Sequence, residues 1–137
     1  MKINEIMSHS VVSVKPEDSV STAAQLMKEH DIGAIPVVQG EQIKGIITDR
    51  DIVLRCIAEQ QDASGLQAQK VMSPHVTTVK PDDSVDFALT RMSEFQVQRL
   101  PVVDGGRLAG MLSLSDIARQ NVYEEISEAV AEIKMQS

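Results

Sequence analysis

Thr48 and Asp51 stand three residues apart where an apolar run gives way to a charged one, and Ser113 and Asp116 repeat that arrangement further on. The pattern predicts that a strand ends and a helix begins at each hydroxyl. Such a junction exposes unpaired N–H groups and the positive end of a helix dipole, which suits phosphate. The carboxylate one turn later falls on about the same face as the hydroxyl. It is suited to accept both hydroxyls of a ribose, as an acidic residue does in dinucleotide folds. The chemistry implied is a nucleoside phosphate: an aliphatic slot for the base, Asp for the sugar, Thr or Ser for the phosphate. The same residues have a second use, with Thr48 and Ser113 as N-caps and Asp51 and Asp116 as favourable first-turn charges. The motif alone leaves both open.

What surrounds the motif is also repeated. Gly45-Ile46-Ile47-Thr48-Asp49-Arg50-Asp51-Ile52 recurs as Gly110-Met111-Leu112-Ser113-Leu114-Ser115-Asp116-Ile117, an offset of 65 residues from 45 to 110. The same offset carries Lys15-Pro16-Glu17-Asp18 onto Lys80-Pro81-Asp82-Asp83, and Ile35-Pro36-Val37-Val38 onto Leu100-Pro101-Val102-Val103. A gapless duplication predicts two copies of one folding unit. With 137 residues in all, each copy alone has a marginal core, so the two are expected to share one.

Each copy reads strand, helix, strand, strand, helix. In the first, Val11 to Val14 form a β-branched run ended by Lys15-Pro16. Asp18 or Ser19 caps a helix with Val20, Ala23, Ala24 and Met27 on one face, which Gly33 breaks. The runs 34–38 and 43–48 flank Gly40 as a hairpin, and Asp49 opens a second helix through Ile57. The second copy repeats this with Val76 to Val79, a helix on Val85, Ala88, Leu89, Met92 and Phe95, and a hairpin from Leu100 to Ser113. Each copy has a lead-in ending in Met-Ser, at Met7 and Met72, and these methionines are expected to pack. The fold class is α/β (α+β). Its expected divisions are residues 1–60, a connector at 61–65, residues 66–122, and a helical extension over 123–137.

Composition narrows the function. A net charge of −7 and only three aromatic residues, Phe87, Phe95 and Tyr123, argue against nucleic-acid binding, which needs a basic surface and stacking platforms. The longest apolar runs fall short of the ~18 residues that span a bilayer, the start has no signal-peptide character, and the one cysteine, Cys56, is read as a buried small hydrophobe. A cytoplasmic protein with no membrane contact is expected. His9, His30 and His75 are scattered without metal-ligand spacing, so no metal is expected. A catalytic triad or phosphate-binding Gly-rich loop is not visible, which leaves an enzyme as the weakest reading.

The paired blocks Met-Ser, Val-Lys-Pro-Asp, Ile-Pro-Val-Val and Gly-Ile-Ile-Thr-Asp-Arg-Asp-Ile resemble tandem cystathionine-β-synthase (CBS) domains, a Bateman module, as in stand-alone bacterial and archaeal CBS proteins. The resemblance covers roughly Ile3 to Tyr123. It implies two β-α-β-β-α motifs related by a pseudo-twofold axis through packed sheets. It also implies adenosine ligands (AMP, ADP, ATP or S-adenosylmethionine) in two clefts between the copies, with no required cofactor, and dimers shaped like a flat disc. Carried over, Thr48 and Asp51 hold phosphate and ribose in one cleft, with Arg50 near the phosphate. Val12, Ser13, Gly33, Ala34, Ile35 and Pro36 line its adenine slot. Ser113 and Asp116 serve the other cleft, lined by Thr77, Thr78, Arg99, Leu100 and Pro101. Arg99, with Ala34 at the matching place, is expected to reach phosphate across the pseudo-twofold, and the two clefts are expected to differ in affinity.

The function implied is a non-catalytic sensor that signals through dimer geometry or a partner protein; the alternative is a ligand-free scaffold. The last helix, expected from Asp116 to about Met135, is the clear asymmetry. Val122, Ile126, Ala129, Val130 and Ile133 form one stripe, with Glu124, Glu125, Glu128 and Glu132 opposite. That stripe is expected to meet a second subunit. Truncation after Asn121 is therefore predicted to lower the mass measured in solution by light scattering, and an unchanged mass removes this role.

Overall fold

The structure is a computed structural model that describes residues 1–136; for Val122, Glu125 and residues 133–136 it describes the backbone only. The first repeat contributes helix α1 (Val20–His30), strands β1 (Ala34–Gln39) and β2 (Gln42–Thr48), and helix α2 (Asp49–Ile52), continued by a π-helical turn over Val53–Ile57. The second contributes α3 (Val85–Phe95), β3 (Arg99–Asp104), β4 (Arg107–Ser113) and the long α4 (Leu114–Gln136). Ser137 and the side chains of Val122, Glu125, Ile133 and Met135, invoked above, lie outside the described residues.

Local chemistry sets the ends of these elements. Ser19 and Ser84 cap α1 and α3, their hydroxyls accepting from Thr22 N (3.1 Å) and Phe87 N (3.0 Å). On α1, Val20, Ala23 and Met27 turn inward, whereas Ala24 is exposed. The helices stop earlier than Gly33 suggests. Asp31 and Gln96 take the left-handed conformation (φ 52° and 54°), and Ile32 N and Val97 N close back on Met27 O and Met92 O. Those bonds satisfy last-turn carbonyls, which offsets the steric cost of a Cβ in that conformation. Gly33 instead lies where its carbonyl accepts Asp49 N at 2.9 Å.

The four strands form one antiparallel sheet in the order β1-β2-β4-β3. The two hairpins meet edge to edge at the Gln42↔Arg107 pair, rather than as two packed sheets. Pro36 and Pro101 sit in the outer strands, where a missing N–H costs no interior ladder bond. The opening strand of each repeat shrinks to a single parallel bridge, Val14↔Val37 and Val79↔Val102. There Val14 N and Val38 N donate to the carbonyls of Pro36 and Val14. In the connector, two hydrogen bonds from Ser64 hold the exposed Asp62 carboxyl below the usual aspartate range.

The lead-ins are exchanged between repeats. Ile3 packs with Val79, Ala88, Leu100 and Leu112 of the second repeat, while Ala68 and Val71 complete the core around Val14, Val37 and Ile47 of the first. Ser8 and Met111 exchange N–H···O bonds (2.9 Å each way), and Ser73 and Ile46 do the same at 2.8 and 3.0 Å. Both glycines in the repeated block lie under these crossings. A Cβ on Gly110 would lie 2.6 Å from Ser8 O and 2.9 Å from Met7 Sδ; on Gly45 it would lie 2.8 Å from Ser73 O and 2.6 Å from Met72 Sδ. Each glycine also pairs across a bulge, with Val37↔Gly45 followed by Val38↔Ile43. Met7 and Met72 therefore pack, as their positions suggest. Gly110→Ala is predicted to cost about 1–3 kcal/mol in urea unfolding through this clash. Gly65→Ala, where nothing lies closer than 3.7 Å, is predicted to stay within about 0.5 kcal/mol.

Candidate functional site

Both hydroxyl–carboxylate pairs form reciprocal caps. Thr48 Oγ1 accepts from Asp51 N at 3.1 Å while Asp51 Oδ2 accepts from Thr48 N at 3.0 Å. Ser113 Oγ and Asp116 Oδ2 do the same at 3.0 Å each way. The arrangement is a capping box with Asp in place of Glu or Gln. It fixes each carboxylate beside its hydroxyl and leaves Oδ1 of each Asp for other partners. Each hydroxyl, used here as an acceptor, still has its proton to donate.

Those remaining oxygens differ between repeats. Asp116 Oδ1 carries an ion pair with Arg119, one turn along α4, whose side chain is 73% exposed. Asp51 Oδ1 lies 3.9 Å from Arg55 Nη1. That nitrogen is held elsewhere, donating to Val71 O (2.9 Å) and Met72 O (3.1 Å) of the crossing lead-in.

A cleft of roughly 350 Å³ opens at the Ser113–Asp116 corner. Its walls come from both repeats: Ser8, Ser10, Val11, Val12, His30, Ile32 and Ala34 from the first, and Arg99, Met111, Ser113, Ser115, Asp116 and Arg119 from the second. The volume lies in the range of small-molecule sites. Apolar side chains face it from Val11, Val12, Ile32 and Ala34, and basic ones from His30, Arg99 and Arg119. This is an aliphatic slot beside a cationic corner.

The structure brings together Val12, Ala34, Arg99, Ser113 and Asp116, but not in the expected pairing. Val12 and Ala34, assigned to the Thr48–Asp51 slot, line the cleft at Ser113 and Asp116; the crossing lead-in brings Val12 there, while Ala34 also remains the cross-strand neighbour of Thr48. Arg99 is cross-strand from Ser113, as Ala34 is from Thr48. Ile35, Pro36, Leu100 and Pro101 are fully buried, and their side chains are part of the core. Ser13 and Thr78 line separate depressions beside the hairpin turns, next to Gly40 and Gly105. Ser13 is exposed and faces the Gly40 depression, not the cleft that Val12 lines. Gly33 packs under the Asp49 carboxylate; Arg50 is exposed, and Thr77 half-buried in the second lead-in stretch.

Ser8, Ser10, His30, Ile32, Met111, Ser115 and Arg119 are cleft residues that the motif did not single out. Arg119 was within reach of sequence logic, three residues beyond Asp116 on one helix face. His30 had no such signal, since it arrives from the far end of α1. Cys56 is buried, as read from sequence, and among the described residues no three His, Cys, Asp or Glu side chains gather as a metal site would require. No described helix is long and apolar enough to cross a membrane.

A single sheet made by two interlocked helix–hairpin–helix repeats, with a cleft between them, defines a tandem pair. The CBS domain model matches residues 3–57 and 68–122, and the chain belongs to that family. It is 37% identical over 136 residues to the CBS domain-containing protein YhcV of Bacillus subtilis, covering 98% of this chain and 96% of that one. Among solved structures it resembles Hypoxic Response Protein I, described with two coordinated zinc ions (35% identity, TM-score 0.80, 87% and 98% of the two chains). It also resembles the CBS domain pair of protein MJ0100 in complex with 5′-methylthioadenosine and S-adenosyl-L-methionine (26% identity, TM-score 0.78, 90% and 98%).

The caps have a consequence apart from any ligand. Ser113→Ala removes the acceptor for Asp116 N and is predicted to lower stability by about 1 kcal/mol, with Ser113→Thr close to neutral. Thermal unfolding of the two variants checks this, and equal melting points for both variants contradict it.

Proposed function

We propose that the chain is a non-catalytic regulatory module that binds an adenosine-containing ligand (AMP, ADP, ATP or S-adenosylmethionine) between its repeats. The observation that carries this reading is the cleft at Ser113 and Asp116, built by both repeats, with an aliphatic slot and a hydroxyl–carboxylate corner. The adenosine compounds bound by the MJ0100 pair support the same ligand class. Adenine fits the slot of Val11, Val12, Ile32 and Ala34, the ribose diol meets Asp116, and phosphate meets Ser113 and the nearby cations. A ligand touching both repeats biases their relative packing to the extent that it binds one packing better than another.

Output passes through a second copy or a partner protein. On α4, Tyr123, Ile126 and Val130 are 68%, 58% and 45% exposed. By helical spacing these three share a face, with Glu124, Glu128 and Glu132 on the other. An apolar row turned away from the glutamates suits a homodimer seam. The reading assigns the chain no chemical step and places it in the cytoplasm.

A ligand-free scaffold is the second reading. It is favoured by the capping boxes and Arg119, which already engage both Asp116 oxygens. Thermal melts separate the two. A true ligand at ~100-fold over its dissociation constant is predicted to add about 2.7 kcal/mol, a rise of several degrees. Asp116→Ala is predicted to abolish the part of that rise due to this cleft. No rise with AMP, ADP, ATP or S-adenosylmethionine leaves the scaffold.

A further inference from the structure

Arg119 has no counterpart in the first repeat. Its twin position, 65 residues earlier, is Leu54, and the basic residue near Asp51 is Arg55, whose own twin is Gln120. The two arginines are also held differently. Arg55 is anchored by two backbone carbonyls and stands 3.9 Å from Asp51 Oδ1, whereas Arg119 is paired directly with Asp116 Oδ1 and lines the cleft. Asp116 Oδ2 is committed to Ser113 N.

A ribose diol approaching Asp116 thus competes with Arg119 for Oδ1. A neutral adenosine takes that oxygen and leaves the guanidinium to water. A phosphorylated adenosine takes it and offers the displaced guanidinium a new anion in the same cleft, where Arg99 and His30 also stand. Guanidinium–phosphate bonds are among the stronger charge-assisted ones, frequently bidentate. We propose that Arg119 is the specificity residue of the Ser113–Asp116 cleft. It swings from Asp116 to the ligand's phosphate and so selects adenosine phosphates over uncharged adenosines. This rests on the adenosine-binding reading given above and deepens it by naming the ligand class.

The role differs from that of the capping pair, because Arg119 is largely exposed and can be changed without disturbing the core. The test uses the full chain in an Asp51→Asn background, which removes the carboxylate expected to serve a second site at Thr48 while keeping an acceptor for Thr48 N. AMP and adenosine are titrated calorimetrically with Arg119 present and with Arg119→Leu, the residue found at the twin position. With Arg119, AMP is expected to bind about tenfold more tightly than adenosine. Arg119→Leu is expected to close that gap from both sides, weakening AMP while leaving adenosine unchanged or tighter. A substitution that weakens both compounds equally, or leaves the gap as it was, overturns the inference while the adenosine reading stands. Absence of binding by either compound to the unsubstituted chain overturns the adenosine reading and this inference with it.

Discussion

Two crossings of backbone hold the molecule together as one unit. Each lead-in runs over the hairpin of the other repeat, at Ser8 on Met111 and Ser73 on Ile46, with reciprocal N–H···O bonds of 2.8–3.0 Å. The approach is close enough that only glycine fits beneath, at Gly110 and Gly45. From this follow the shared cores, since Ile3 completes the second and Ala68 and Val71 the first. Neither repeat has a finished interior by itself. For so short a chain, interlocking is how two marginal cores become stable. The cleft is a by-product of the same crossing, which brings Val11 and Val12 against Ser113 and Asp116.

The corner where chemistry is expected is also where the helix is nucleated. Asp116 and Ser113 satisfy each other's backbone N–H, which would otherwise be two of the orphan donors of a helix start. A ligand at this corner would not have to create order; it would meet a carboxylate already fixed in place. Such pre-organisation lowers the entropic cost of binding. It also ties function to stability, because the residues that recognise a sugar would be the same ones that begin the helix.

Duplication makes the repeats alike in backbone and unlike in surface. The registers match pair for pair, from Ala34↔Thr48 and Arg99↔Ser113 to the bulge after Val37 and Val102. Backbone hydrogen bonding and core volume hold that frame. Positions that face the cleft or solvent are not held by it. There the repeats differ, with Ala34 against Arg99, His30 against Phe95, Leu54 against Arg119, and a helix ending at Ile57 against one reaching Gln136. Phe95 shows how far such drift can go, since the Arg91 guanidinium lies 5.8 Å from its ring and 5.2 Å from that of Phe87, where α1 has only His30, Leu26 and Thr22.

The repeat, the hairpins, the amphipathic helices and the capping motif were legible in the chain because each depends on residues near one another in sequence. Ser19 as a cap, and Val20, Ala23 and Met27 as a buried face, are of this kind. Left-handed caps at Asp31 and Gln96 were not legible, since their conformation is stabilised by bonds that Ile32 and Val97 make backwards. The composition of the cleft was hidden for a stronger reason. Which repeat's strand lies over which corner depends on the path of the lead-ins, and both pairings satisfy the same local pattern. Only tertiary packing distinguishes them, by sending Ile3 into the core around Val79 and Leu100 and so laying residues 8–12 across the opposite hairpin.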